Sequence, residues 1–323
     1  MSRRFINQLR ENQNVTEVYQ MTERSLRTNK HGELYLQFVL TDRTGSIDAR
    51  MWNAESSMLS KFETGCFVTV EGTVQRFQGA LQFIARSLHA ATPEKLDLAD
   101  FARGGVVDIH ALTCRVRELL GEIQNQDIRN LAESFLSDET FMQAFCNRPA
   151  GVKIHHATIG GLLEHTLQMM EMAKSVGVIY SKILNPDLLL MGAFLHDIGK
   201  IDELSSKSGF SYTDLGQMLG HPHLGAARLS EKIAETEKRT GTPFDPELAM
   251  LLTHLIISHH GTLENGSDKV PMTLEAVALY YIDSLDAKLA EFHRNLCEDV
   301  NSDSRWTNYI PGLERKLYKN KGN

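Results

Sequence analysis

The chain begins with short runs in which apolar and polar residues alternate and continues with long stretches in which apolar residues return every three or four positions. The first pattern holds from Val15 to about Ala91. Residues 15–26 alternate and lead into the turn-forming Thr28-Asn29-Lys30-His31-Gly32. In residues 33–41, Leu34, Leu36, Phe38 and Leu40 recur at period two, which places them on one face of a strand. Asp42-Arg43-Thr44-Gly45 makes a second turn, residues 46–52 read as a third strand and 54–62 as a short helix. Residues 66–77 and 80–90 form a last pair of strands around Gln78-Gly79. After Pro93 the period changes. Residues 96–101, 110–130 and 138–147 predict helices, the second with Leu112, Val116, Leu119, Leu120 and Ile123 at helical spacing. From His155 to about Leu296 helices alternate with short loops such as Asn185-Pro186 and Gly241-Thr242-Pro243, and a basic tail of little fixed structure follows.

Five strands with a helix between the third and fourth is the strand order of an OB-fold. The fold class expected is therefore multi-domain: an all-β OB-fold barrel over residues 1–91, a helical connector over 92–150, an all-α domain over 151–300 and the tail over 301–323. OB-folds hold single-stranded nucleic acid by stacking bases on aromatics within a cationic groove. Tyr35, Phe38, Arg50, Trp52, Arg76 and Phe77 are the candidates for that role, although strand aromatics more often belong to a core.

Charge bears on where such a partner would sit. The net charge of −7 argues against a surface that clamps nucleic acid everywhere. Residues 1–90 hold 11 Lys and Arg against 9 Asp and Glu, or +2, and the remainder 23 against 32, or −9, so the contact is expected in the first domain. The N-terminus lacks the apolar run of a signal peptide or membrane span, which predicts a cytoplasmic protein with no membrane partner. The four cysteines are far apart with no C-x-x-C pair, and suggest neither a zinc ribbon nor disulfides.

Nine of the 13 histidines fall between His155 and His260, and that clustering points to a metal. An apolar helix over residues 188–200 ends in His196-Asp197, where an ionised carboxylate in apolar surroundings is costly unless a cation joins it. Imidazole with carboxylate suits Mn²⁺, Fe²⁺, Zn²⁺ or, with more oxygen ligands, Mg²⁺. His165 lies upstream; His221, His259-His260 and Asp283 lie downstream, with Asp286 three residues on and on the same helical face.

The ordered set H…HD…H…HH…D resembles the HD phosphohydrolase superfamily over roughly residues 150–295. That resemblance implies that His165, His196, Asp197 and Asp283 hold a first metal. It also implies that Asp197 bridges to a second held by His221, His259 and His260, though many relatives hold one ion only. The OB-fold, the connector and the segments HHATIGGLLEHT, FLHDIGK and YYIDSLDAK together resemble a narrower group, the YhaM-type bacterial 3′→5′ exoribonucleases. The implied activity is removal of nucleotides from the 3′ end of single-stranded RNA, usually with Mn²⁺ and with some action on DNA, in a homo-oligomer. Lys200 is then expected on a phosphate oxygen, Asp197 between the ions, and Asp286 in proton transfer or in orienting a water. The Gly-Tyr-Pro motif of cyclic-dinucleotide phosphodiesterases is absent after His260. An HD enzyme for small nucleotides, with the barrel as a regulatory or protein-contact module, stays open as the alternative.

Overall fold

The computed structural model describes residues 3–29, 32–55, 57–62, 65–77, 80–92, 96–97, 100–101, 108–151, 160–205, 211–297, 299 and 304–320. Lys30, His31, the Gln78-Gly79 turn, His155 and His156 lie outside them. Two compact units are present, one comprising Met1–Val106, Ser206–Ser211 and His293–Asn323, the other Val107–Ser205 and Tyr212–Phe292.

The first unit is built on strands β1 (Asn14–Thr28), β2 (Leu34–Asp42), β3 (Gly45–Trp52), β4 (Phe67–Phe77) and β5 (Ala80–Ala90), with one turn of helix, α1 (Met58–Lys61), before β4. They close a barrel in the order β1-β2-β3-β5-β4, with β1 also paired to β4. All pairings are antiparallel except β3 with β5. This is the OB-fold expected. Closure leaves no free sheet edge, and β1 curves around the barrel through an irregularity between Met21 and Glu23. The period-two residues Leu36, Phe38 and Leu40 fill the interior with Tyr19, Met21, Val70 and Phe83, while Leu34, at the strand's start, is exposed.

The 304–320 segment differs from the tail expected. Trp306 bridges Tyr318 and Ile310 bridges Arg315, Thr307 and Leu317 hydrogen-bond to each other, and Leu313 and Leu317 are buried. Its apolar residues, rather than its lysines, decide its state.

The second unit is helical. Its helices are α2 (Ile109–Gly121), α3 (Gln126–Leu136), α4 (Glu139–Asn147), α5 (Gly161–Ile179), α6 (Pro186–Leu195), α7 (Lys200–Glu203), α8 (Asp214–Thr240), α9 (Pro246–Ser258) and α10 (Leu274–Cys297). A two-stranded ribbon, β6 (Leu204–Ser205) with β7 (Ser211–Tyr212), follows α7. Side-chain caps mark several starts: Asp108, Asn125, Asp138, Asn185 and Asp245 each accept a first-turn N–H. Residues 109–147 are not a separate connector, because Val116, Leu119, Ile128, Phe135, Phe141 and Phe145 enter the same core as Leu189, Phe194 and Leu255. The long helix expected over 110–130 is broken by the Asn125 cap. The described residues among 96–101 are not α-helical.

Buried Lys232 of α8 ties this core to α4. Its Nζ donates to Asp138 Oδ2 and to Glu235 Oε2, both at 2.6 Å, while Asp138 caps α4 through Phe141 N at 2.9 Å. The Lys232 hydrogen bond holds the Asp138 carboxyl below its usual range. A carboxyl with a depressed folded pKa stabilises above its unfolded pKa of about 3.9, and that contribution is lost as pH falls through the folded value. Asp138→Asn keeps a capping oxygen and loses the ion pair, so a cost of about 2 kcal/mol is expected at pH 7. Urea midpoints at pH 7 and pH 3 check this: the gap between variant and wild type should narrow at the lower pH.

Candidate metal centre

The centre is assembled where helices end. His196 caps the C-terminus of α6 and His259 that of α9, and there the last carbonyls lack intrahelical partners. Each imidazole donates from Nδ1 to such a carbonyl, His196 to Ala193 O at 2.8 Å and His259 to Ile256 O at 2.6 Å. That bond fixes the tautomer, so each Nε2 carries a lone pair directed elsewhere.

His221 is placed by a different device. Helix α8 breaks at Gly220 (φ 73, ψ 156), which frees the backbone for Pro222 and makes His221 the start of a new helical run. The first-turn N–H of His221, which has no intrahelical acceptor, donates to Glu203 Oε1 at 3.0 Å, and its Nδ1 meets the same oxygen at 3.1 Å. His165, on α5, has its Nδ1 at 3.0 Å from Asp286 Oδ2.

The four Nε2 atoms converge on Asp197. Its Oδ2 lies 3.5 Å from His165 and 3.4 Å from His196; its Oδ1 lies 3.3 Å from His221 and 3.7 Å from His259. Asp283 Oδ1 is 3.5 Å from His165 Nε2. Two groups of potential ligand atoms result, His165–His196–Asp197 and His221–His259–His260.

These residues fit a divalent cation. Asp197 Oδ1 is buried and accepts no hydrogen bond, a costly state for an ionised carboxylate. His165 and His196 face each other Nε2 to Nε2 at 3.1 Å, so without a metal a proton on His165 bridges them, and a cation that takes both lone pairs displaces that proton. Burial pulls the His259 and His260 pKa values down, aided by neighbouring imidazoles, and so keeps both rings neutral, as metal ligands must be. Burial also opposes a charged His165, but Asp283 and Asp286 outweigh it and push its pKa up to about 9. Asp197 and Asp283 are held well below the usual carboxylate range against burial, Asp197 chiefly by Lys200 and His196, Asp283 chiefly by His165.

Lys200 Nζ donates to Asp197 Oδ2 at 2.6 Å. It therefore reaches the carboxylate expected between the ions, where a phosphate oxygen had been expected. Asp286 Oδ2 meets His165 Nδ1, a contact that orients that imidazole. Glu203 is an addition: buried and bonded to His221, it had no sequence signal beyond standing seven residues after His196. Asn185 N and Glu275 tie α10 to the start of α6, which carries the His196-Asp197 turn.

On the barrel, the nucleic-acid candidates separate. Phe38 is 1% exposed in the core and cannot stack on a base. Tyr35 and Trp52, cross-strand neighbours, have ring centroids 5.1 Å apart. The Arg50 guanidinium lies 5.7 Å from the Tyr35 centroid, 5.9 Å from Trp52 and 5.2 Å from Phe77. Trp52 and Phe77 are 42% and 48% exposed. Arg76 pairs with Glu11 at 3.3 Å on the exposed surface.

The HD domain family model matches residues 162–288, and the model for the OB-fold nucleic acid binding domain matches residues 19–90. The chain is 35% identical to the 3′-5′ exoribonuclease YhaM of Geobacillus sp. (strain WCH70), across 90% of this chain and 86% of that protein. It is 33% identical to the YhaM of Bacillus subtilis (strain 168), across 90% of this chain and 89% of that one. The chain belongs to the YhaM family of 3′→5′ exoribonucleases. An HD domain implies a bound divalent metal, and in this YhaM-family chain the cluster around Asp197 lies within the matched segment. Among the described residues, no helix is long and apolar enough to cross a membrane.

Proposed function

We propose that the chain removes nucleotides one at a time from the 3′ end of single-stranded RNA, releasing nucleoside monophosphates and taking single-stranded DNA as a second substrate. The observation that carries this reading is the position of Asp197, with one oxygen toward His165 and His196 and the other toward His221 and His259. Such a carboxylate suits a pair of divalent ions. His165, His196, Asp283 and Asp197 Oδ2 would hold one, and His221, His259, His260 and Asp197 Oδ1 the other.

The mixed imidazole and carboxylate set favours Mn²⁺, with Fe²⁺, Zn²⁺ and Mg²⁺ as alternatives. Bound ions supply a water of lowered pKa and neutralise charge on the phosphoryl oxygens. The protein's part is orientation: Asp286, Glu203 and the carbonyls of Ala193 and Ile256 hold four imidazoles in one tautomer each. Lys200 places a further positive charge beside Asp197, within reach of a phosphate brought to that carboxylate. The Tyr35–Arg50–Trp52–Phe77 surface offers stacking for bases upstream of the cleaved end. A homo-oligomer in the cytoplasm belongs to the same reading.

Incubation with 5′-labelled RNA in Mn²⁺, Mg²⁺ or chelator tests it. A ladder shortening from the 3′ end in metal alone is expected. Intact RNA beside hydrolysis of small nucleotides would replace the reading with the small-nucleotide alternative.

Two further outcomes are expected. Stacking of a base on an aromatic is worth about 1–3 kcal/mol, so Trp52→Ala with Phe77→Ala should weaken binding of long single strands by about 10²-fold or more. Dinucleotide turnover should be unchanged, and fluorescence anisotropy beside a dinucleotide assay reads both. Glu203→Gln, which weakens the hold on His221, should cost about 10–100-fold in metal affinity at one of the two sites, read by calorimetric titration.

A further inference from the structure

Helix α10 has a second apolar face that neither the core nor the metal centre uses. On one side Ala276, Leu279 and Ile282 enter the helical core, and Asp283 and Asp286 meet His165. Half a turn away, Leu274, Val277, Tyr281, Leu285 and Leu289 are between 42% and 65% exposed, and half-buried Phe292 continues their row. A helix apolar on both faces is normally covered on both. We propose that this outer face is an interface between two copies of the chain, related by a two-fold axis that passes α10 opposite Asp283. The inference rests on the homo-oligomeric reading above and names its surface.

The spacing selects a second copy as the occupant. Steps of 3, 4, 4, 4 and 3 residues from Leu274 to Phe292 read the same from either end and centre on residue 283. A two-fold contact requires that if one residue meets another, the second also meets the first across the axis. Antiparallel pairing about residue 283 sets Tyr281 on Leu285, Val277 on Leu289 and Leu274 on Phe292. The four residues Val277, Tyr281, Leu285 and Leu289 form one ridge of the kind that packs into the groove of a second helix.

Charge agrees with this choice. Lys288, the exposed cation beside the ridge, is paired with Glu291 at 2.8 Å, and in the two-fold alignment it falls opposite Ala278. The two acids that the alignment sets opposite each other, Glu275 and Glu291, are each engaged within their own copy, Glu275 by Asn185 N and Glu291 by Lys288. A nucleic acid or an anionic lipid surface would instead call for unpaired cations along the face. The row offers on the order of 500 Å² of apolar surface per copy, near the upper end of the largest patch on an ordinary monomer. With its polar rim it approaches the roughly 800 Å² per partner of a stable interface.

Light scattering on purified full-length protein at micromolar concentration, without RNA or metal, tests the inference. Wild type is expected at an even multiple of the chain mass, and Leu285→Glu and Tyr281→Lys at half the wild-type value. Met218→Glu, at another apolar side chain that is 83% exposed, should leave the mass unchanged. Circular dichroism melts report folding of each variant, and Tyr281→Lys carries the test if Leu285→Glu does not fold. A monomeric wild type, a folded Leu285→Glu of wild-type mass, or equal dissociation by Met218→Glu would overturn the interface. Because mass is read without substrate, an enzyme inactive on RNA could still have this interface, and an active one could lack it.

Discussion

Asp197→Asn is expected to lower metal-dependent RNA shortening by about a thousandfold, which corresponds to some 4 kcal/mol of lost transition-state stabilisation. The substitution preserves shape and changes charge. Asp197 Oδ2 stands within 3.5 Å of the Nε2 atoms of His165 and His196, and Oδ1 within 3.7 Å of those of His221 and His259. An amide can present one oxygen to one cluster, but it turns an NH₂ group toward the other, which repels a cation. Metal content should therefore fall at both sites, whereas loss of Glu203 disturbs the surroundings of His221 alone. The stability readout separates this from unfolding. Divalent metal should raise the melting temperature of wild type by binding the native state, and that rise should vanish in Asp197→Asn. A variant that kept the metal-induced rise and lost only activity would move Asp197 from ligand to a purely catalytic task.

The parts legible in sequence are those in which one residue type has one affordable setting. Alternation at period two in β2 can only be satisfied by a strand with one face covered, and Leu36, Phe38 and Leu40 are indeed inside the barrel. A His-Asp pair at the end of an apolar helix likewise demands compensation, and the cluster around it supplies that. What sequence left open depends on three-dimensional closure. Phe38 on β2 and Phe77 on β4 are the same residue type in strands of one barrel, yet one is buried inside and the other is 48% exposed. Glu203 sits in the polar run KIDELSSKSG, and nothing in that run distinguishes it from a solvated acid until α8 breaks at Gly220 and presents His221 N–H to it. Asp286 shares its helical face with Asp283, as the three-residue spacing implies, but its partner lies on α5, more than a hundred residues earlier. The helices of residues 109–147 read as a connector because their apolar spacing does not say which core they join.

Gly199→Ala is expected to be among the most damaging one-methyl changes in the chain. The glycine is not needed for its backbone conformation, since φ is −66°, which any residue adopts. It is needed for contact. A Cβ at this position would stand 2.0 Å from His221 O, 2.6 Å from Gly225 N and 2.9 Å from His221 C, all backbone atoms that cannot rotate aside. The turn that carries Asp197 would have to move away from the segment that carries His221, separating two side chains that stand 3.3 Å apart. Overpacking of this kind costs about 1–3 kcal/mol, and a displacement near 1 Å at reacting groups costs about a hundredfold in rate. The variant should melt lower, bind less metal at the His221 cluster than at the His165 cluster, and shorten RNA about a hundredfold more slowly. Gly121→Ala serves as the counterpart. No atom lies within 4 Å of the added methyl at the end of α2, and there the loss of chain entropy in the unfolded state should leave stability unchanged or raise it by about 0.5 kcal/mol. If the two variants melted alike, the close approach of the His196-Asp197 turn to α8 would not be what holds the metal centre together.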